Sequence, residues 1–194
     1  EGVTIVDSPF WCLHPIYSKN VTIRNTRIDS HNPDNDGIVL DSCEYVRVHG
    51  VAIANHGACV SIKSGAGREG REMGWPSRNI YVHDCTFNAE TAISIAGEIG
   101  GGVYNVFAES CLTGQGLRPA LAIADERTRE GEIAHVCYRN MFGLDVRDPN
   151  APNQPPDVYA GPDVQLAEQG GTVTLGGSVV DDGKPSGKLT YACR

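Results

Sequence analysis

Short runs of alternating apolar and polar residues recur along the chain: GVTIVDS from residue 2, NVTIRN from 20, YVRVHG from 45, NIYVHD from 79, NVFAES from 105 and HVCYRN from 135. Period-two alternation puts every second side chain on one face, the signature of a strand buried on one side. The run starts lie 18, 25, 34, 26 and 30 residues apart, a spacing that marks stacked repeats. A second set follows the first: GIVL at 37–40, CVSI at 59–62, AISI at 92–95 and ALAI at 120–123. Each repeat therefore carries at least two strands, and no segment shows helical periodicity. The predicted fold is all-β, a right-handed parallel β-helix. Ile38, Val60, Ile93 and Leu121 are expected to form one interior column, and Leu40, Ile62, Ile95 and Ile123 another.

The repeats end near residue 147. Residues 148–162 read as a Pro-rich, extended linker. Residues 163–194 hold three short strand candidates with Gly-rich and Asp-Gly turns. That segment resembles the opening of PKD-type immunoglobulin-like modules and is too short to close a sandwich, so a partial β-sandwich is expected there.

Composition narrows the function classes. With 194 residues the chain can bury a sizeable core as one large or two small domains. A net charge of −8 repels phosphate backbones and anionic lipid, so neither nucleic acid nor a membrane is an expected partner. No apolar run is long enough to span a bilayer, and no basic-then-apolar leader opens the chain. The chain starts inside a strand-like repeat, as a fragment would. Seven Cys with no C-x-x-C pair argue against a zinc site, and no metal or cofactor is expected. Cys85 and Cys111 hold the same place in successive repeats, as stacked thiols in a core would. Disulfide pairing stays unassigned, and a monomer is expected.

The densest chemistry lies in HNPDNDGIVLDSC, residues 31–43, with Asp34, Asp36 and Asp41. Asx-rich stretches before Gly make turns, so a solvated turn and a reaction centre both fit; Asp41, at the strand ending, reads as structural. Glu90 precedes the AISI strand, either an exposed loop residue or a proton donor. His56 is open to turn capping or to a role beside the acidic residues. Lys63 and Arg68 fit solvated loop charges or contacts to sugar hydroxyls or a carboxylate. Trp75, ahead of Pro76, either covers a core edge or stacks on a sugar ring.

In order, SPFWCLHPIYSKNVTIRN, NPDNDGIVLDSC, ACVSIKSGAGREGREMGWPSRNIYVHDCTF and GEIGGGVYNVFAESC resemble the core of glycoside hydrolase family 28, the polygalacturonases and their relatives. The likeness spans about residues 2–140, without the family's N-terminal coils. It implies a β-helix, a secreted protein, a polysaccharide substrate and inverting hydrolysis. That reaction needs one carboxyl to protonate the leaving oxygen and another to activate water on the opposite face of the sugar. Asp36 takes the place of the Asp in the family's Asn-Thr-Asp motif, with Asp34 and Asn35 before it. The Asp-Asp pair falls on Gly57 and Ala58. The Gly-His-Gly motif falls on Ala89, Glu90 and Thr91, and the Arg and Lys of the last motif fall on Ala122 and Ala124.

The implied catalytic residues are therefore Asp36 as base and Glu90 as acid, roughly two strand spacings or about 10 Å apart, with the Glu90 pKa raised by Asp34 and Asp36. Asp34, Asn35, His56, Lys63, Arg68 and Trp75 are the implied substrate contacts. Two other functions compete with hydrolysis. One is a carbohydrate-binding or adhesive module without catalysis. The other is a β-helix lyase using Lys63 or Arg68, which lacks a Ca²⁺-type acidic loop. Loss of the cationic clamp at Ala122 and Ala124 predicts a preference for neutral glycans over polygalacturonate.

Overall fold

A computed structural model describes residues 1–114, 121–124, 131–144, 157–159 and 178–181 of the chain. Its strands run in coils. The first holds β1 (Thr4–Val6). The second holds β2 (Lys19–Arg24), β3 (Arg27–Ser30) and β4 (Ile38–Asp41). The third holds β5 (Glu44–His49), β6 (Ala52–Asn55) and β7 (Ala58–Lys63), followed by helix α1 (Gly67–Met73). The fourth holds β8 (Ser77–His83), β9 (Thr86–Asn88) and β10 (Thr91–Ala96). The fifth holds β11 (Val103–Thr113) and β12 (Leu121–Ala124), and β13 (Ile133–Leu144) follows. Strands from successive coils pair in parallel, making a mostly β solenoid of about five turns.

The solenoid has three faces, where the sequence pattern implied at least two strands per turn. Face A stacks β2, β5, β8 and the first halves of β11 and β13. Face B stacks β1, β3, β6, β9 and the second half of β11. Face C stacks β4, β7, β10 and β12. The face B strands of 3 and 4 residues are too short for alternation to reveal. For the same reason GVTIVDS does not share a ladder with NVTIRN: β1 pairs with β3 through Ile5 and Ile28.

The interior columns follow the predicted register. Ile38 pairs with Val60, Val60 with Ile93 and Ile93 with Leu121, while Leu40, Ile62, Ile95 and Ile123 stack beside them. All eight are buried. Cys85 and Cys111 are free thiols in the same core; Cys59 is buried there too, and burial pushes its thiol far up. Cys137 is disulfide-bonded.

Corners recur at fixed points. Asn20, Tyr45, Asn79, Asn105 and His135 open the face A strands, and all have φ between 55° and 57°. Asn25, Asp84, Ser110 and Asn140, together with Gly50, take the same left-handed conformation where face A turns into face B. Asn tolerates it because its short polar side chain bonds locally. Here the Asn105 amide donates to Asn79 Oδ1 at 3.0 Å, and His135 Nδ1 sits 3.1 Å from Asn105 Oδ1.

Helix α1 was not foreseen, because seven residues give no apolar period. It stops at Gly74, which adopts φ 61°, and Gly70 packs so closely on Gly65 that a Cβ would lie 2.5 Å from the Gly65 carbonyl. Past the solenoid, β14 (Asp157–Tyr159) pairs antiparallel with β15 (Ser178–Asp181), which lies parallel to the end of β13. The rest of the expected linker and C-terminal module lies outside the described residues.

Cross-coil ion pairs tie face A. The Glu44 carboxylate meets Lys19 from the coil before at 3.1 Å and Arg78 from the coil after at 2.9 Å, and Glu109 likewise accepts from Tyr81 and Arg139.

Phe87 is fully buried, so Phe87→Ala is expected to cost about 3–5 kcal/mol in a denaturant titration. Hydrogen bonds from Lys19 and then Arg78 hold the Glu44 carboxyl below its usual range. On acidification the unfolded chain takes up this proton first, so the contribution is complete above the ordinary carboxylate pKa and disappears as pH falls through the lower folded value. The stability gap between wild type and Glu44→Gln is therefore expected to shrink when the titration is moved from pH 7 toward pH 3.

Candidate functional site

The outward side of face C is framed by two loop systems: residues 7–18 before β2, and α1 with its flanking turns after β7. Asn35 anchors the first. It is 0% exposed, its amide donates to the carbonyls of Ser8 and Phe10 at 3.1 and 2.5 Å, and its Oδ1 accepts from Cys12 Sγ. Expected as a sugar contact, Asn35 instead spends its polar atoms on the loop. Asp34, at φ 57°, forms the exposed turn before it.

Asp36 is half-buried at the entrance to β4, and its Oδ1 accepts the Ala58 backbone N–H at 2.8 Å. One carboxylate oxygen is thus held in place by the neighbouring coil. The contact depends on Gly57, where a Cβ would lie 2.5 Å from Asp36 Oδ1. The Gly57–Ala58 step therefore carries no carboxyl group of its own and is closed over by Asp36. Asn55 braces the same step, its amide donating to the carbonyls of Asn35 and Ala58 at 2.6 and 2.9 Å.

Glu90 reaches this step from the next coil. It precedes Thr91, which pairs with Ala58, and its N–H donates to the His56 carbonyl at 3.4 Å. Its side chain is 69% exposed with the carboxylate 3.7 Å from His56 Nδ1. His56 is thus the side chain that meets the Glu90 carboxylate.

A second cluster lies at the other end of the face C strands, around a groove of about 700 Å³ lined among others by Trp11, Tyr17, Asp41, Glu69 and Glu98. Lys63 is only 13% exposed. Its Nζ bonds Glu98 Oε2 at 3.0 Å and sits 4.1 Å from the centre of the Trp11 ring. Asp41 accepts the Gly65 N–H at 2.9 Å and the Ser42 hydroxyl at 3.1 Å, which supports its structural reading, while its other oxygen faces His14 at 3.9 Å. Trp11 stacks on Phe10 and meets His14 edge-on. Trp75, half-exposed, packs edge-on against Tyr17. Arg68 is not in this cluster's ion-pair network; it bonds Glu72 at 2.7 Å on the exposed face of α1. Both cations suggested for lyase chemistry are thus occupied by carboxylates.

Sequence reasoning missed Trp11, His14 and Glu98. The signal for Glu98 was weak: it stands beyond Gly97, whose φ of 72° turns the chain at the end of β10. Among the described residues, no group of three or more His, Cys, Asp or Glu is arranged to hold a metal ion. No helix there is long and apolar enough to cross a membrane.

A parallel three-faced solenoid with an outward groove on one sheet defines the class of protein, and comparison with known proteins narrows it. Residues 1–149 match glycosyl hydrolases family 28, and the chain belongs to that family. It is 32% identical over 148 residues to a probable polygalacturonase of Vitis vinifera, covering 73% of this chain and 29% of that protein. The crystal structure of a hyperthermoactive exopolygalacturonase from Thermotoga maritima superposes with a TM-score of 0.71 at 34% identity, over 74% of this chain and 33% of that one. The chain thus spans about a third of the length of these relatives.

Because Asp36 already occupies the space beside residue 57, Gly57→Asp is expected to break the Asp36–Ala58 bond and to destabilise the protein by about 1–3 kcal/mol in thermal or denaturant unfolding, whereas a surface Gly→Ala change costs less.

Proposed function

We propose that the protein is a secreted, polygalacturonase-like glycoside hydrolase that cleaves glycosidic bonds of a pectic or related polysaccharide lying along the outward side of face C. The observation that carries this reading is Asp36, half-buried at the head of β4 with one oxygen held by the Ala58 N–H. A carboxylate fixed in this way keeps its other oxygen free to accept a proton from water.

In the proposed reaction a sugar unit spans the step between the second and fourth coils. Asp36 takes a proton from a water molecule as the water attacks the anomeric carbon. The bond from that carbon to the glycosidic oxygen breaks, and Glu90, in its protonated form, donates its proton to the departing oxygen. Water is divided between the two products, the configuration inverts, and a new reducing end appears. The two-coil offset, roughly 10 Å of strand spacing, lies near the upper end of the separation used by inverting enzymes, and the exposed Glu90 side chain has the freedom to shorten it.

A second reading is favoured by the Gly57–Ala58 step. With no carboxyl there and no space for one, the groove would bind glycan without cleaving it. Reducing-sugar release by the full-length protein on pectic substrates separates the two. Hydrolysis is expected in wild type, with a fall of roughly 10²–10⁴-fold in Asp36→Asn and in Glu90→Gln at unchanged glycan binding. Glycan binding by wild type without product would instead establish the binding module.

A further inference from the structure

We infer that face A, apart from the proposed reaction site on face C, carries a second binding site in which Arg47 takes the carboxylate of an acidic sugar and Phe107 supports a ring further along the same glycan. The site goes beyond the proposed hydrolysis and does not depend on it. Four arginines stand on the described face A strands, Arg24, Arg47, Arg78 and Arg139. Three of them meet carboxylates, Arg24 with Glu1, Arg78 with Glu44 and Arg139 with Glu109. Among the described residues Arg47 has no such partner.

Arg47 is nevertheless held in place. Its Nε donates at 2.9 Å to Nε2 of His83, which is only 7% exposed. A ring nitrogen that accepts carries no proton, so His83 is neutral, and its remaining proton lies on Nδ1, 2.6 Å from the Asp84 carboxylate. The buried ring thus aims an exposed guanidinium without cancelling its charge. With Nε taken, the two Nη groups present a pair of parallel donors, the geometry that a carboxylate accepts best.

The neighbours select a sugar over a bare anion. Parallel pairing of β5, β8 and β11 sets Arg47, Tyr81 and Phe107 side by side in register. Phe107 is 48% exposed, and a groove of about 450 Å³ opens beside it, lined among others by Tyr81, Glu109 and Arg139. An exposed aromatic ring suits the apolar face of a pyranose. Arg47 and Phe107 are two strand spacings or roughly 10 Å apart, so an occupant that touches both is an oligosaccharide. The acidic groups nearby are already engaged, Glu109 by Tyr81 and Arg139, and Asp84 by His83. His49 senses the local field. Its ring stacks on His83 at 5.1 Å, and burial, followed by the charges of Arg47 and His83, holds its pKa below the ordinary imidazole range.

The experiment measures binding of an oligogalacturonate, and of its methyl ester as the uncharged counterpart, to the full-length protein by calorimetry at low and high salt, with His49 followed by NMR. Wild type is expected to bind the acidic oligomer and to show a higher His49 pKa when it is bound, because the docked anion offsets the Arg47 charge. The binding event marked by His49 is expected to weaken about ten-fold or more in Arg47→Gln, with the loss shrinking at high salt and binding of the ester little changed. Arg47→Lys, which keeps the charge without the fork, should fall between the two. Phe107→Ala should weaken acid and ester alike.

Equal affinity of wild type and Arg47→Gln for the acidic oligomer, equal binding of acid and ester by wild type, or binding that leaves His49 unmoved would overturn the inference. So would sulfate alone at the same concentration reproducing the His49 shift, since the site would then take anions without reading a sugar. A circular dichroism spectrum matching wild type confirms that each variant is folded.

Discussion

Stacking in register is the constraint on which the rest of this structure depends. Each coil must bring its inward side chains directly over those of the coil before, so each must turn its corners at the same points. The chain meets this demand by placing residues in the left-handed region at equivalent positions coil after coil, Asn20, Tyr45, Asn79, Asn105 and His135 in one column. A non-glycine residue with positive φ is costly when isolated. Here neighbours in the column offset the cost, as the Asn105–Asn79 amide contact illustrates. With the corners aligned, Ile, Leu and Val form continuous interior columns that no single coil could bury alone.

The same geometry constrains interior positions more tightly than outward ones. An interior residue such as Ile62 touches coils on both sides, through Leu40 and Ile95, so its replacement disturbs three coils. An outward residue faces solvent and few neighbours. Gly57 is an instructive exception, because its lack of a side chain leaves the space in which Asp36 Oδ1 accepts the Ala58 N–H.

Charge at the groove is likewise a product of stacking. Lys63 ends β7 in the third coil and Glu98 follows β10 in the fourth. Their contact requires that neighbouring strands end at the same level, which the Ile62–Ile95 pairing ensures. Face A repeats the principle with Glu44 between Lys19 and Arg78. An acidic protein thus pairs many of its cations across coils, leaving its open groove on face C rich in carboxylates.

Periodicity in the sequence was enough to determine the fold and the two interior columns, because a buried strand face imposes a period of two and a solenoid repeats it at a spacing the chain displays directly. Cys85 and Cys111 were legible for the same reason. The short face B strands and the seven-residue helix were not, since three or four residues carry no measurable period. At the site, the burial of Asn35 in loop anchoring, the pairing of Arg68 with Glu72 and the Lys63–Glu98 contact were not legible. Those depend on which side chains meet across coils, and such meetings are decided by register and turn geometry in three dimensions, which no local stretch of sequence encodes.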